Sequence, residues 1–482
     1  MADTLFTNVR VFDGGGEAPF TGDVLVQGNK ISRVVKAGFG QSSAPVLGAR
    51  IIDGAGAFLM PGMIEAHTHF SWNDQPTLDA IQRMPPEEHI LWCAEVAKKY
   101  LDMGWTSCVG AAAAKPRLDV VIRNAINDGT IIGPRYLAAS QEITVPGGLG
   151  DTTAPHLPQH EFAFGAIVSG AEEMRRCVRM FAKYGVDSIK INLSGESITG
   201  MPSEMSQFTS EEVRVCVEES KAWGKRVSAH ARSSWAVKEC IKQGIEVIYH
   251  ASFTDEEALD MLEANKLEHH VAPGLAWLIN TCHHASQWGL TPEVTRKMGY
   301  HRELEAAIES MKAMRRRGIR ILPGGDYGFA WTPHGTNAKD LEYFVKFVGM
   351  SNMEALLSAT AWGGADDDDG QADRLHSRRL PCRHLARGWR PARRHHRASR
   401  QGPHPVGDER RCLPPRAAGR RWPTVAQRCT TQCDPLELRS RPWHRPFLPT
   451  LTSSKEPASC LIAAACWSKA TASAKSVAAR RP

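Results

Sequence analysis

The stretch Phe58-Leu-Met-Pro-Gly-Met-Ile-Glu-Ala-His-Thr-His-Phe70 is an apolar run that ends on two histidines, and the other predictions for this chain start from it. His67 and His69 are two positions apart, and in an extended strand such side chains project from the same face. Neutral imidazole is a good ligand for zinc and for neighbouring first-row metals. The spacing predicts a metal ion at the end of this strand, although two surface histidines at a strand end would give the same pattern.

This stretch is the first strand of a repeating pattern in which strand-like runs alternate with helical periodicity. Alternation of this kind suits either a doubly wound parallel sheet or a closed barrel. Eight strand–helix units in about 300 residues favour a (β/α)8 TIM barrel over residues 58–364, with a last helix at 339–360. The later strands are predicted at 106–111, 135–140, 188–193, 227–231, 247–251, 269–274 and 319–326.

Residues 1–57 contain short runs of alternating apolar and polar residues, punctuated by glycine and Asp-Gly. The pattern predicts a small antiparallel, β-sandwich-type domain. The chain has no apolar run of 18 residues and its first residues do not resemble a signal peptide, so we expect neither a membrane span nor export. Its 12 cysteines include no CxxC pair, which favours free thiols in the reducing cytoplasm.

Further candidate ligands lie at the ends of the predicted strands, where barrel enzymes build their active sites. Lys190 lies in strand four, His230 in strand five, His250 closes strand six and Asp326 closes strand eight. Each residue alone is explained as well by a structural hydrogen bond or an ion pair. Together with the two histidines of the first strand, six such residues in register with the strand ends indicate a metal-dependent active site.

At these positions the chain resembles the amidohydrolase superfamily, through Met60-Pro-Gly-Met-Ile-Glu-Ala-His-Thr-His69 and the four later residues. Within it the chain is similar to the imidazolonepropionase-like branch, which includes prolidases and the ochratoxin-, phenylurea- and molinate-hydrolysing enzymes. The resemblance covers residues 1–364 and implies two divalent metal ions, zinc or alternatively cobalt or manganese. It further implies that His67 and His69 hold one ion, that His230 and His250 hold the other, that a carbon dioxide-derived carbamate on Lys190 bridges them, and that Asp326 is both ligand and base.

Such a site is suited to hydrolysis of an amide-type C–N bond. Two metal ions about 3.5–4 Å apart can hold a hydroxide at neutral pH and polarise the carbonyl under attack. Asp326 can orient that hydroxide, take its proton and deliver the proton to the leaving nitrogen. The predicted reaction therefore needs no covalent enzyme intermediate.

Candidate substrate contacts favour a small apolar substrate. Prolidase-like members usually have Gly-Gly-His-Gly-Asp where this chain has Gly-Gly-Leu149-Gly-Asp, which replaces a polar contact by an apolar one. Phe70, Trp72 and Trp331 flank the first and eighth strand ends and could line an aromatic mouth, or equally pack in the core. Arg232 is the candidate for binding a substrate carboxylate.

The predicted substrate class is therefore an apolar urea, carbamate or amide, with phenylurea herbicides as a specific hypothesis and xenobiotic degradation as the role. The alternative is a prolidase-like hydrolase of dipeptides or N-acyl amino acids. We also expect a homo-oligomer.

The last 118 residues differ in kind from the rest of the chain. Residues 365–482 carry 24 Lys and Arg against 10 Asp and Glu, a net charge of +14, whereas residues 1–364 have a net charge of −7. An Arg- and Pro-rich segment of this kind suggests a nucleic-acid-binding arm. However, codons for residues 380–396 (LPCRHLARGWRPARRHH), read one base later, permit Tyr-Leu-Ala-Asp-Ile-Leu-Leu-Val-Asp-Gly-Asp-Pro-Leu-Ala-Asp-Ile-Thr, a family-like ending. We therefore expect a frameshifted, irregular tail, either genuine or a sequencing error, and no nucleic-acid partner.

Overall fold

A small sheet precedes the barrel. The computed structural model describes residues 3–28, 30–38, 47–158 and 163–363. The buried valines of the small sheet and Ile31 form a separate apolar cluster. The order of the sheet is β3-β2-β1-β4, with β5 beside β1. Its strands are β1 (Thr4–Val11), β2 (Phe20–Gln27), β3 (Lys30–Lys36), β4 (Arg50–Asp53) and β5 (Phe58–Leu59).

The pairing in this sheet is partly parallel, so the expectation of a purely antiparallel sheet is wrong. Hairpins join β1 to β2 and β2 to β3 in antiparallel fashion, but β4 and β5 both run parallel to β1. A parallel partner needs a crossover connection instead of a tight turn.

The barrel strands run parallel to one another and are almost wholly buried. The first group is β6-β7-β8, and the second is β10-β9-β11-β12-β13-β14. Their bounds are β6 (Met63–Thr68), β7 (Trp105–Gly110), β8 (Arg135–Leu137), β9 (Ala139–Thr144), β10 (Ala166–Ile167), β11 (Ser188–Asn192), β12 (Arg226–Ala231), β13 (Val247–His250) and β14 (His270–Ala272).

The two groups close into a barrel through an irregular eighth strand. Leu322 donates its backbone N–H to Val271 of β14 at 2.8 Å, and Ala66 of β6 donates to Pro323 at 2.9 Å. Because Pro323 lacks an N–H and two glycines follow it, this segment cannot form a regular ladder. The predicted TIM-barrel fold is confirmed, with β8 and β9 forming its third strand on either side of Ala138.

Helices cover the outside of the barrel. Their buried faces are apolar, as in α4, where Met174, Cys177, Val178 and Phe181 face inward. Within the described residues, no helix has the length and apolar character needed to cross a bilayer. The helices are α1 (Leu78–Gln82), α2 (Pro86–Asp102), α3 (Leu118–Asp128), α4 (Ala171–Tyr184), α5 (Ser210–Ala222), α6 (Ser234–Gln243), α7 (Glu256–Ala264), α8 (Leu275–His284), α9 (Pro292–Lys297), α10 (Tyr300–Arg316), α11 (Lys339–Tyr343) and α12 (Asn352–Ser358).

The prediction of one continuous helix at 339–360 is wrong. After α11, a single wider turn (Phe344–Val348) ends at Gly349, whose φ of +76° is a left-handed conformation that terminates helices. Ser351 and Glu354 then form a capping box, with each side chain bound to the other's backbone N–H, and α12 begins. The predicted frameshifted tail and the alternative of a basic nucleic-acid-binding arm lie outside the described residues.

Candidate active site

All six predicted metal ligands line one cavity at the C-terminal mouth of the barrel. The cavity has a volume of about 390 Å³, including its opening to solvent. The strands β6, β11, β12 and β13 and the irregular eighth strand each contribute at their carboxyl ends. The six residues are His67, His69, Lys190, His230, His250 and Asp326.

The tightest group within the cavity is formed by His67, His69 and Asp326. Asp326 Oδ1 lies 3.5 Å from His67 Nε2 and 3.2 Å from His69 Nε2, and all three side chains are buried. His69 Nδ1 lies 3.0 Å from the carbonyl oxygen of Ala112, to which it donates. Its Nε2 therefore carries a lone pair directed into the cavity, the orientation expected of a metal ligand.

A second group lies beside the first. The His250 ring centroid is 5.2 Å from that of His67 and 4.4 Å from that of His230. His230 Nε2 is 3.1 Å from the Gly195 carbonyl oxygen, so it donates there and leaves Nδ1 as the electron-pair donor. Lys190 Nζ lies 4.3 Å from the Tyr249 ring centroid. These side chains could hold a second ion.

Strained backbone aims two of these side chains. His250 has a φ of +73° and Asp326 a φ of +59°, a left-handed conformation that non-glycine residues rarely adopt. Such strain is typical of functional sites, where surrounding structure enforces it. The glycine at 324 is needed here too, because a Cβ atom on it would lie 2.7 Å from the Cβ of His67.

Burial sets the charge state of the site. Desolvation lowers the pKa of each of the four histidines, which keeps their imidazoles in the neutral, metal-binding form. Burial alone would raise the pKa of Asp326; His67, His69 and Lys190 outweigh burial and lower this pKa only when they carry positive charge, so with neutral imidazoles a bound cation would have to replace that charge. Burial also lowers the pKa of Lys190 to about 8, so its amine can lose a proton near neutral pH.

The unpaired atoms of the site fit a bound cation. Because His69 donates from Nδ1, a lone pair on its Nε2 faces the Asp326 carboxylate at 3.2 Å with no proton between them. Leaving a buried polar atom unpaired costs about 1–3 kcal/mol, and a divalent cation bound to these atoms would remove that cost. The atoms without a hydrogen-bonding partner among the described residues include His67 Nδ1, His69 Nε2, His250 Nδ1 and Asp326 Oδ1.

Of the four predicted apolar substrate contacts, two line the cavity and two do not. Trp72 stacks on His69 with ring centroids 3.5 Å apart, and Leu149 forms part of the wall. Phe70 instead points away from its neighbour His69 and stacks on Tyr136 in the core. Trp331 is also a core residue and stacks on Phe329. Phe329, and not Trp331 as expected, lines the cavity.

The predicted carboxylate-binding residue, Arg232, does not face the cavity. Its side chain is fully buried and forms ion pairs with both Glu196 and Glu303. The guanidinium group also lies 5.3 Å from the Trp277 ring centroid. Its charge is therefore already balanced inside the protein.

Sequence reasoning missed several residues of the cavity wall. Glu142 follows the third predicted strand by two residues, and a polar residue so close to a strand end was a usable signal. Burial raises the pKa of Glu142 to about 7, although the nearby Lys190 opposes that shift. The others lie in helices and loops whose position depends on the fold. The missed wall residues are Leu78, Glu142, Glu196, Ile198, Trp277 and Phe329.

Comparisons with known proteins agree with this fold. The ochratoxinase of Aspergillus niger is 27% identical over 322 residues, which are 63% of this chain but only 64% of that protein. The structure of a Xaa-Pro dipeptidase with bound methionine in its active site superposes with a TM-score of 0.65 at 27% identity, covering 74% of this chain and 87% of the dipeptidase. Phenylurea hydrolase B shares the fold, with a TM-score of 0.57 at 20% identity over 75% of this chain and 86% of its own.

The family model described as the amidohydrolase family matches residues 58–362, which are more than half of the chain and contain all six residues of the proposed metal site. The resemblance predicted from the histidine motif and the strand-end residues is thereby confirmed. This chain belongs to the amidohydrolase family.

Proposed function

We propose that the protein hydrolyses a C–N bond in a small apolar urea, carbamate or amide, using two divalent metal ions, zinc or alternatively cobalt or manganese. The observation that carries the proposal is the set of buried, unpaired electron-pair donors around Asp326. His67 and His69 would hold one ion and His230 and His250 the other, with Lys190 as a bridging carbamate and Asp326 as a further ligand. When bound, the metals would supply Lewis acidity toward the substrate carbonyl and toward water.

The protein side chains would move the protons. Asp326 lies among the candidate ligands, where its carboxylate could accept a proton from the attacking water. The same carboxyl group can then deliver that proton to the leaving nitrogen. Its strained backbone fixes the position from which it acts.

The shape and chemistry of the wall support a neutral, apolar substrate. Trp72, Leu149, Trp277 and Phe329 present apolar surface to the cavity. Among the described residues that line it, Lys190 is the one Lys or Arg side chain, and the proposed mechanism uses it as a bridge. Because Arg232 is already paired with two carboxylates, it is not available to bind a carboxylate of the substrate. Phenylurea herbicides, and hence xenobiotic degradation, are the specific hypothesis.

A prolidase-like hydrolase of dipeptides or N-acyl amino acids is the second candidate. The similarity to the Xaa-Pro dipeptidase and to the ochratoxinase favours it, at 27% identity in each case. It requires a cationic group for the substrate carboxylate, and the balanced charge of Arg232 is the structural argument against it.

A substrate panel on metal-reconstituted protein decides between the two candidates. The panel contains phenylureas, thiocarbamates, Xaa-Pro dipeptides, and an N-acyl amino acid beside its uncharged amide. We expect kcat/KM to be at least about tenfold higher for the uncharged member of the matched pair, because burial of an unpaired carboxylate is costly. A preference for the carboxylate member would favour the peptidase, and hydrolysis of none of these compounds would overturn the proposal.

We also propose a reducing, cytoplasmic location and a homo-oligomeric state. Six cysteines in the part of the chain that the structure describes are unpaired and buried, which supports the first proposal. Binding of nucleic acid or membrane is not part of the proposed function.

A further inference from the structure

Three carboxylates line the cavity, as far as the described residues extend, and they differ in how their oxygens are used. Glu196 accepts a hydrogen bond from Tyr300 at 2.6 Å through Oε1 and pairs with Arg232 through Oε2. Asp326 lies among the histidines. Glu142 is only 3% exposed, yet its Oε1 has no hydrogen-bonding partner in the described part of the chain. Glu142 therefore presents an unused acceptor in the cavity wall.

The fold places the Glu142 carboxylate close to Lys190, one of the proposed metal ligands. Glu142 of β9 lies directly opposite Lys190 of β11 in the strand register. The Gly150 backbone, with a φ of +96°, packs against the carboxyl group, where an added Cβ atom would overlap Oε1. The preceding residue, Leu149, lines the same cavity. The loop thus leaves room for a charged oxygen beside an apolar wall.

A buried hydrogen-bond acceptor in the cavity wall favours ligands that carry a hydrogen-bond donor. A carboxylate oxygen can only accept, and burying it unpaired costs free energy that a hydrogen-bond donor of the ligand restores. Sites built around a buried hydrogen-bonding group discriminate strongly against analogues that lack its partner. Asn192 already donates a hydrogen bond to the Glu142 carboxyl group, and a substrate without an N–H would leave its Oε1 atom without a donor.

We propose that Glu142 is a substrate-binding residue that accepts a hydrogen bond from an N–H adjacent to the scissile carbonyl. The substrates are then N–H-bearing ureas, carbamates or anilides, and fully N-substituted compounds such as dialkyl thiocarbamates are poor substrates. This inference rests on the proposed function and deepens it by naming the group that the site recognises.

The test compares an anilide with its N-methyl derivative in wild type and in Glu142→Gln. We expect wild type to favour the N–H compound in kcat/KM, and the substitution to reduce that preference about tenfold, because a charged acceptor is replaced by a weaker neutral one. The ratio of the wild-type preference to the Glu142→Gln preference does not depend on the intrinsic reactivity of the two compounds. Glu142→Leu removes the acceptor completely and is expected to lower the preference further, whereas Glu142→Asp retains part of it.

A matched control is Glu239→Gln, which changes a buried carboxylate of α6 that bonds Gln243 at 2.8 Å and lies outside the cavity. We expect its N–H preference to equal that of wild type. Metal content is measured in every variant by elemental analysis. Normal metal content in Glu142→Gln is expected, whereas loss of metal would make Glu142 a metal ligand and overturn its assignment to substrate binding.

Binding provides a readout that does not depend on turnover. Trp72 and Trp277 line the cavity, so their fluorescence can report the Kd of non-hydrolysable N–H and N-methyl ligands. If no compound is hydrolysed, the proposed function is overturned. Even then, an N–H preference in binding that weakens in Glu142→Gln supports the inference about Glu142. Equal preferences in wild type and Glu142→Gln, by both readouts, would overturn the inference while leaving the proposed hydrolysis intact.

Discussion

Two clusters of buried polar side chains lie side by side at the mouth of the barrel. They differ in whether their hydrogen-bonding atoms have partners. In the arginine cluster (Arg232, Glu196 and Glu303), each carboxylate oxygen has a donor, since Glu303 also accepts from Ser203 at 2.8 Å and from Ser252 at 2.9 Å. In the ligand cluster (His67, His69, His250 and Asp326), buried electron-pair donors have no partner in the described part of the chain.

This difference indicates that the arginine cluster stabilises the fold and that the ligand cluster binds a ligand. A charged network in which every carboxylate oxygen has a donor rigidifies the protein and has little acceptor capacity left for a ligand. Unpaired buried atoms cost free energy, and a protein keeps them where something else binds. The ligand cluster should therefore control metal content and turnover, and the arginine cluster should control stability.

The largest expected effect follows from His67→Ala or His69→Ala. Either change removes half of the imidazole ligands proposed for one ion, so we expect turnover and metal content to be lost together. Elemental analysis and a hydrolysis assay on the same preparations measure both quantities, and thermal unfolding checks that the barrel is intact. A variant with wild-type turnover would show that the ligand cluster is not the metal site.

Lys190→Ala should also abolish turnover, because it removes the proposed bridging carbamate. Bicarbonate with a short carboxylic acid should restore part of the activity by supplying carboxylate oxygens in the vacated space. Lys190→Arg is the matched variant and should not respond, since its guanidinium fills that space and stays charged. Wild-type activity in untreated Lys190→Ala would contradict the bridge.

Asp326→Asn should have a smaller effect and retain the metal. The amide keeps the shape of the side chain but cannot accept the proton, so we expect kcat to fall by roughly 10²–10⁴-fold. Steady-state kinetics on an N–H-bearing substrate measure this loss. An effect confined to KM would reassign Asp326 to substrate binding.

Arg232→Met should have the smallest effect on chemistry and a large one on stability. Removing the guanidinium leaves two buried carboxylates without their cation, which costs about 3–5 kcal/mol in the free energy of unfolding. Denaturant unfolding measures that loss. Metal content and the preference for uncharged substrates should not change, and a selective loss of activity on carboxylate-bearing substrates would instead identify Arg232 as a substrate contact.

The ligand cluster was predictable from sequence for a physical reason. Strand periodicity fixes which face a side chain occupies, and a barrel brings the carboxyl ends of all its strands to one mouth. Positions such as His67, His250 and Asp326 could therefore be placed without knowing any contact. The alternation of strands and helices determined the fold class in the same way.

The residues beyond the strand ends were harder to predict. Phe70 and Trp331 are aromatic and close to the ligands in sequence, yet loop geometry turns them into the core, while Trp277 and Phe329 line the cavity. The pairing of Arg232 depends on Glu303, 71 positions away. Contacts of this kind are set by tertiary packing, which local patterns do not encode.

Metal content and turnover, measured on the same protein before chelation, after chelation and after reconstitution, test most directly whether the ligand cluster is a metal site that performs hydrolysis. We predict that the stripped protein is folded but inactive, and that turnover of an uncharged N–H-bearing urea or anilide returns as up to two zinc, cobalt or manganese ions bind per chain. Wild-type turnover by the metal-free protein would contradict the proposed function at its centre.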